Sequence, residues 1–180
     1  MAKLVSKTYA EALFEVALEE NKVDLFLDEI NFVTETLKLH SELYELFKSP
    51  LIRVEEKKNI VKEVFSGKLS KEMNNFLKVI MDKRRGSSIE QIKWEYERIV
   101  NDHKGIVEAV AITAIPLGDK EKIILQNKLT SLTEKTVKLT NEIDEKVVGG
   151  VLVKIGDKVI DGTIKGRLEE IKEGLSQIVV

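Results

Sequence analysis

The spacing of apolar residues divides the chain in two. Through about residue 103 they recur three and four apart, the period of helices with one apolar face. Breaks fall at Asn21, His40, Ser49-Pro50, Ser66-Gly67 and near Gly86. These predict helices over residues 5–21, 23–40, 43–48, 54–65, 70–83 and 88–103. Gly67 is placed to give the left-handed turn that ends the fourth helix. Ser70 is placed to cap the fifth, and Ser88-Ile89-Glu90-Gln91 has capping-box spacing for the sixth. Six helices with short connections imply antiparallel neighbours in a bundle.

The period changes at His103-Lys104-Gly105. Residues 106–113 are rich in β-branched side chains and read as a buried strand, closed by Pro116. Residues 137–142 alternate as a second strand. Residues 151–155 and 158–160 follow, joined by Gly156-Asp157, a two-residue hairpin signal. Asp119 is placed to cap a helix reaching about residue 133. A final amphipathic helix over residues 163–177 carries Ile164, Leu168, Ile171 and Leu175 at spacings of four and three. The expected fold class is α+β in two domains. Residues 1–104 form a six-helix bundle, and residues 105–180 a small α/β-sandwich-like domain with a mixed sheet and two helices.

Composition narrows the function. Of 180 residues, 43% are hydrophobic, enough for a real core. Charged residues reach 33%, but 29 Lys and Arg against 31 Asp and Glu leave a net charge of −2. A nucleic-acid binder usually shows a basic excess instead. The absence of cysteine removes disulfides and thiol chemistry. His40 and His103 stand apart, without ligand spacing, so no metal, cofactor or catalytic residue is expected. No apolar run approaches the roughly 18 residues that cross a bilayer. The first residues lack a signal-peptide core, and acidic residues begin at Glu11, unlike a transit peptide. A soluble chain is expected, with contact to a membrane only through partners.

The remaining motifs favour shape and contact. Gly149-Gly150 precedes a strand where a phosphate loop would open a helix, so it reads as a turn that lets two backbones approach. Asp157 reads as a turn former and Asp161 as a carboxylate at a helix start, whose loss costs stability. Lys83-Arg84-Arg85 complements the dipole at the end of the fifth helix. In the first helix Lys7, Thr8, Glu11, Glu15 and Glu19 gather in one stripe. The rest, including Val5, Tyr9, Ala12, Leu13, Phe14 and Val16, is apolar over roughly 200°, about twice the arc of an ordinary core-facing helix. Either this helix is buried on two sides, or half of the arc waits for a partner. In the fifth helix Met73, Phe76, Leu77 and Ile80 form a core stripe, and Val79 lies about 100° off it. Together the two helices suggest a groove for an amphipathic helix of another chain. Two other readings are a nucleic-acid module using Lys165 and Arg167, and a small enzyme using Asp157 and Asp161.

Several segments resemble one family. They are Tyr9-Ala10-Glu11-Ala12-Leu13-Phe14, Ser49-Pro50-Leu51-Ile52 with Glu55-Glu56-Lys57-Lys58, Asn75-Phe76-Leu77 with Arg85, and Ala114-Ile115-Pro116-Leu117. The most specific is the run Gly149-Gly150-Val151, Gly156-Asp157, Val159-Ile160-Asp161-Gly162 and Gly166-Arg167-Leu168. In order, these resemble the delta subunit of bacterial F-type ATP synthase, a relative of the mitochondrial oligomycin-sensitivity-conferring protein. Thr163, Lys154 and Gly86 depart from the usual pattern, and Gly86 bears on where the fifth helix ends. The resemblance implies a non-catalytic stator subunit on the cytoplasmic face of the bacterial cell membrane. Its helical domain would bind the amino-terminal helix of an alpha subunit of the F1 head between the first and fifth helices. By matching positions, that contact falls on Tyr9, Ala12, Leu13, Val16, Val79, Ile80 and Lys83. The small domain would meet the b subunits of the peripheral stalk through residues 149–168 and the last helix. The signature Gly149, Gly150, Gly156, Asp157, Asp161, Gly162, Gly166, Arg167 and Leu168 would frame that domain. The whole would resist rotor torque during proton-driven ATP synthesis.

Overall fold

The helical apolar stripes close around one core in the computed structural model. It describes the backbone of residues 2–156 and 158–178, and the side chains of 4–156, 158–169, 171 and 172. The chain divides into two compact units, Met1–Asn101 and Asp102–Val180.

The first unit holds α1 (Ala2–Glu19), α2 (Val23–Leu39), α3 (Ser41–Lys48), α4 (Val54–Val64), α5 (Lys71–Asp82) and all but the last two residues of α6 (Ile89–His103). Leu13, Phe26, Phe47, Val61, Leu77 and Tyr96, one from each helix, are sealed in its core. The α1 side of that core is lined by small residues, Ser6, Ala10 and Ala17, which let neighbouring helices approach closely.

Backbone chemistry adjusts several expected boundaries. α1 stops at Glu19, because Asn21 adopts a left-handed φ of 53° and Lys22 N–H closes on the Ala17 carbonyl at 2.8 Å. Asn tolerates that conformation better than most residues. Gly67, with φ 70°, supplies the turn after α4 as its sequence suggests. Ser70 caps α5 by accepting from Met73 N–H at 3.1 Å. Its backbone N–H and hydroxyl both donate to the buried Glu29 carboxylate of α2, the hydroxyl at 2.8 Å. This clasp fixes where α5 begins.

α5 ends at Asp82 without help from Gly86. Arg84 takes the left-handed φ of 54°, and Arg85 N–H reaches the Ile80 carbonyl at 2.9 Å. Gly86 serves a close approach instead, since a Cβ there would lie 2.4 Å from the Phe47 carbonyl oxygen. α6 grows directly out of a 3-10 turn over Gly86–Ser88. Ile89 is already helical at its start, so the helix does not open from the extended cap that a capping box requires.

The second unit contains β1 (Ile106–Thr113), α7 (Asp119–Thr133), β2 (Thr136–Ile143), β3 (Leu152–Ile155), β4 (Lys158–Asp161) and α8 (Ile164–Ile178). The sheet order is β2-β1-β3-β4. β1 and β2 are parallel, with α7 as the crossover that parallel neighbours need, and β3 and β4 add antiparallel. The sheet is mixed, as its sequence predicts. Ala109, Leu129, Val137, Val153 and Ile155 form the core between α7 and one sheet face. α7 begins one residue after Gly118, not from an Asp119 cap. Gly118 N–H donates to the Glu121 carboxylate at 2.8 Å, so the acid three residues into the helix satisfies its start.

Candidate interaction surfaces

The wide apolar arc of α1 splits into two faces. Ser6, Ala10, Leu13 and Ala17 are buried and hold the helix to the core. About 100° away, Val5, Tyr9, Ala12 and Val16 form a second stripe at spacings of four, three and four. Val5 and Tyr9 are half-buried, whereas Ala12 and Val16 are exposed, Val16 at 39%. The helix is neither buried on both sides nor open along half its surface. It carries one core face and one shallow apolar face beside it.

α5 is built the same way. Met73, Leu77, Ile80 and Met81 are buried. Phe76, read from sequence as core, is half-buried. It lines up with Glu72, Val79 and Lys83 along one face of the helix. Val79 is 44% exposed, and Lys83 extends past the helix end into solvent. The sequence signal for Phe76 is its place three residues before Val79.

The expected contact set therefore needs correction at two positions. Leu13, 3% exposed, and Ile80, 0% exposed, belong to the core and present nothing to a partner. Of the expected set, Ala12, Val16, Val79 and Lys83 are exposed and Tyr9 is half-buried, as is Phe76 beside them on α5. In the turn between α1 and α2, Lys22 bridges Glu20 at 3.1 Å and reaches Glu72 in the first turn of α5 at 3.7 Å. Hydrogen bonding to Glu20 holds the Lys22 amine above its ordinary value.

In the second unit the glycine signature is a backbone interlock. Gly162 N–H donates to the Val151 carbonyl at 2.9 Å, and Ile164 N–H to the Gly149 carbonyl at 3.0 Å. Gly150 sits where these strands of backbone press together. A Cβ on it would lie 2.4 Å from the Gly162 oxygen and 2.8 Å from the Thr163 Cα. Gly149 is less constrained, because its Cβ would meet only the mobile end of the Ile164 side chain. Gly156 adopts φ 54° for the hairpin, with open space around it. Its turn partner, Asp157, lies outside the described residues.

Asp161 and Thr163 share the start of α8. Asp161 accepts from Thr163 N–H at 2.8 Å, and the Thr163 hydroxyl accepts from Gly166 N–H at 3.0 Å. Thr163 is therefore the capping residue, and Asp161 fixes the residue that caps. The Asp161 carboxylate lies where a Cβ on residue 166 would be, 2.8 Å from its Cγ, which requires Gly166. Backbone and hydroxyl hydrogen bonds from Thr163 pull the Asp161 carboxyl below the ordinary value of 3.8. A carboxylate committed in this way stabilises a turn. Arg167 N–H donates to the Thr163 carbonyl at 3.1 Å, and the Arg167 and Leu168 side chains are exposed on α8.

The Asp161 geometry predicts a pH signature. In the unfolded chain Asp161 binds protons more readily than in the folded one, so its contribution is full above about pH 4 and is lost as pH falls through the depressed value. Asp161→Asn is expected to lower stability at pH 7. The gap to the unsubstituted chain should close in acid. Chemical denaturation of both chains from pH 7 to pH 3 checks this, and a gap that persists undiminished at pH 3 would refute it.

Comparison with known proteins matches nearly all of this chain. The profile described as ATP synthase delta (OSCP) subunit covers residues 5–175. "ATP synthase subunit delta" of Alkaliphilus metalliredigens is 48% identical over 180 residues, covering 100% of both chains. The protein of the same name from Clostridioides difficile is 39% identical, covering 99% of each. Among solved structures, a chain of the Toxoplasma gondii mitochondrial ATP synthase covers 97% of this chain and 97% of its own length, with TM-score 0.73 at 18% identity. A chain of the Polytomella F-ATP synthase F1 head and rotor covers 55% of this chain and 88% of its own, with TM-score 0.52 at 27% identity. None of these supports the nucleic-acid reading.

Proposed function

Because the chain belongs to the ATP synthase delta (OSCP) subunit family, we propose that it works as the stator link between the F1 head and the peripheral stalk. As a member it is a non-catalytic subunit of the ATP synthase. In this reading the helical unit is a six-helix bundle spanning residues 1–104, and it receives the amino-terminal helix of an alpha subunit. That helix lies between α1 and α5, against Tyr9, Ala12, Val16, Phe76 and Val79. The observation that carries the reading is the second apolar stripe on α1, beside the core stripe and left partly exposed by the fold. Amphipathic helices dock in grooves through such stripes at spacings of three and four.

The small unit, residues 105–180, docks the b subunits. α8 supports this, since Ile164, Leu168 and Ile171 are 53%, 61% and 59% exposed at spacings of four and three. Three large apolar residues on one exposed helix face mark an interaction surface. No helix among the described residues is long and apolar enough to cross a membrane, so attachment to the cytoplasmic face of the bacterial membrane runs through these partners. With one unit on the head and the other on the stalk, the chain resists rotor torque without doing chemistry.

The test is calorimetric titration of the full chain with a synthetic peptide of the cognate alpha subunit's amino-terminal helix. Saturable binding at micromolar concentration is the expected result. Absence of binding at that concentration removes the groove assignment.

A further inference from the structure

β2 (Thr136–Ile143) is an edge of the sheet, and with eight residues it is the long one. β4, at the other edge, has four residues and offers little to pair with. Thr136 N–H donates to the Gly105 carbonyl and Asp144 N–H to the Thr113 carbonyl, each at 2.9 Å. The even-numbered residues of β2 therefore turn their backbone groups to β1, and the odd-numbered ones turn theirs outward. Val137 agrees, since its outward carbonyl accepts from the Gln126 side chain of α7 at 2.7 Å. The outward backbone groups of Leu139, Asn141 and Ile143 have no hydrogen-bond partner among the described residues. The side chains of this edge are open too. Lys138, Thr140 and Glu142 are exposed on the sheet face away from α7, and Ile143 is 56% exposed.

We propose that β2 is a docking edge for a second copy of this chain, the two strands pairing antiparallel about a two-fold axis through Thr140. Two outward residues must face each other to exchange N–H and C=O groups. An axis at Thr140 sets Leu139 opposite Asn141 and Val137 opposite Ile143, so every outward residue of β2 enters the ladder. No other axis does this. The same axis sets Lys138 opposite Glu142 of the second copy, and symmetry repeats that contact. An axis at Lys138 or Glu142 would set like charges opposite each other, which is destabilising. The exposed Ile143 gains a cross-strand neighbour in Val137. The net charge of −2 opposes the approach of two copies only weakly. A ladder this short buries less than a standard interface, so association is weak, with Kd on the order of 100 μM. The proposal concerns the free chain and does not rest on the stator reading.

Sedimentation of the full chain from about 10 μM to about 1 mM reads the association. A rising dimer fraction is expected, and hydrogen exchange at the Leu139 and Asn141 amides should slow as the concentration rises. Lys138→Glu and Glu142→Lys, each alone, are expected to weaken the dimer about tenfold. An equimolar mixture of the two variants should recover it, because every charge across the axis again meets its opposite. The register also places Glu108 of β1 beside Lys138, so circular dichroism checks that Lys138→Glu stays folded. Should that variant fail to fold, Glu142→Lys alone carries the test. A chain that remains monomeric at about 1 mM overturns the proposal, as does a dimer that Glu142→Lys leaves intact. Weakening by both variants without recovery in the mixture overturns the pairing about Thr140.

Discussion

Replacing Gly150 by alanine should destabilise the second unit by about 2–4 kcal/mol. Two effects add. Gly150 has φ 84°, where a Cβ is strained at about 1 kcal/mol. The new methyl would also sit 2.4 Å from the Gly162 carbonyl oxygen, a backbone atom. That oxygen has little room to retreat, because its own residue donates to Val151 and the following turn is tied to Gly149. Forced shifts in a packed region typically cost a further 1–3 kcal/mol. Gly156→Ala is the internal control. It has the same left-handed backbone but nothing within 4 Å of the added methyl, so only the conformational strain of about 1 kcal/mol remains. Urea denaturation of the two variants beside the parent chain, followed by circular dichroism, measures the difference. Equal losses would mean that the interlock does not hold the start of α8.

The second large effect concerns recognition. Ala12→Asp is expected to weaken binding of the alpha-subunit peptide at least a hundredfold, about 2.7 kcal/mol, and to leave the helical unit folded. Ala12 is exposed in the free chain, so the carboxylate stays hydrated there and costs little. In the complex it would be buried without a partner, which is expensive. Leu13→Ala, one residue on, should behave in the opposite way. Leu13 is 3% exposed in the core, and its truncation should cost about 2–5 kcal/mol of stability. Thermal denaturation and peptide titration of both variants separate the two roles. If Ala12→Asp unfolds the unit, the second stripe of α1 is core and the docking surface lies elsewhere.

The element types were legible because helices and strands impose different periods on apolar residues. Gly67 and Ser70 announced a turn and a cap that local backbone chemistry alone determines. Boundaries were harder where distant residues intervene. Arg84, not the neighbouring glycine, takes the left-handed turn after α5, because Gly86 is committed to the Phe47 carbonyl of α3. Nothing in the spacing of residues 83–88 carries that contact. Asp161 could be read as a helix-start carboxylate, but its assignment to the Thr163 N–H, with Thr163 doing the capping, required the turn to be seen.

The candidate surface divides the same way. The sequence by itself established that α1 has more apolar arc than one core face needs, and that Val79 falls outside the α5 core stripe. Periodicity carries that much, since it reports the angle of each residue about its own helix axis. Only the tertiary structure decided which apolar positions are spent on the fold. Burial depends on the neighbour that covers a face, and that neighbour is distant in sequence. So Leu13 and Ile80 went to the core, while Ala12, Val16 and Val79 were left outside it. The glycines of residues 149–166 follow the same rule. Their number marks a crowded backbone, and the fold determines which of them, Gly150 and Gly166 above all, has no room for a Cβ.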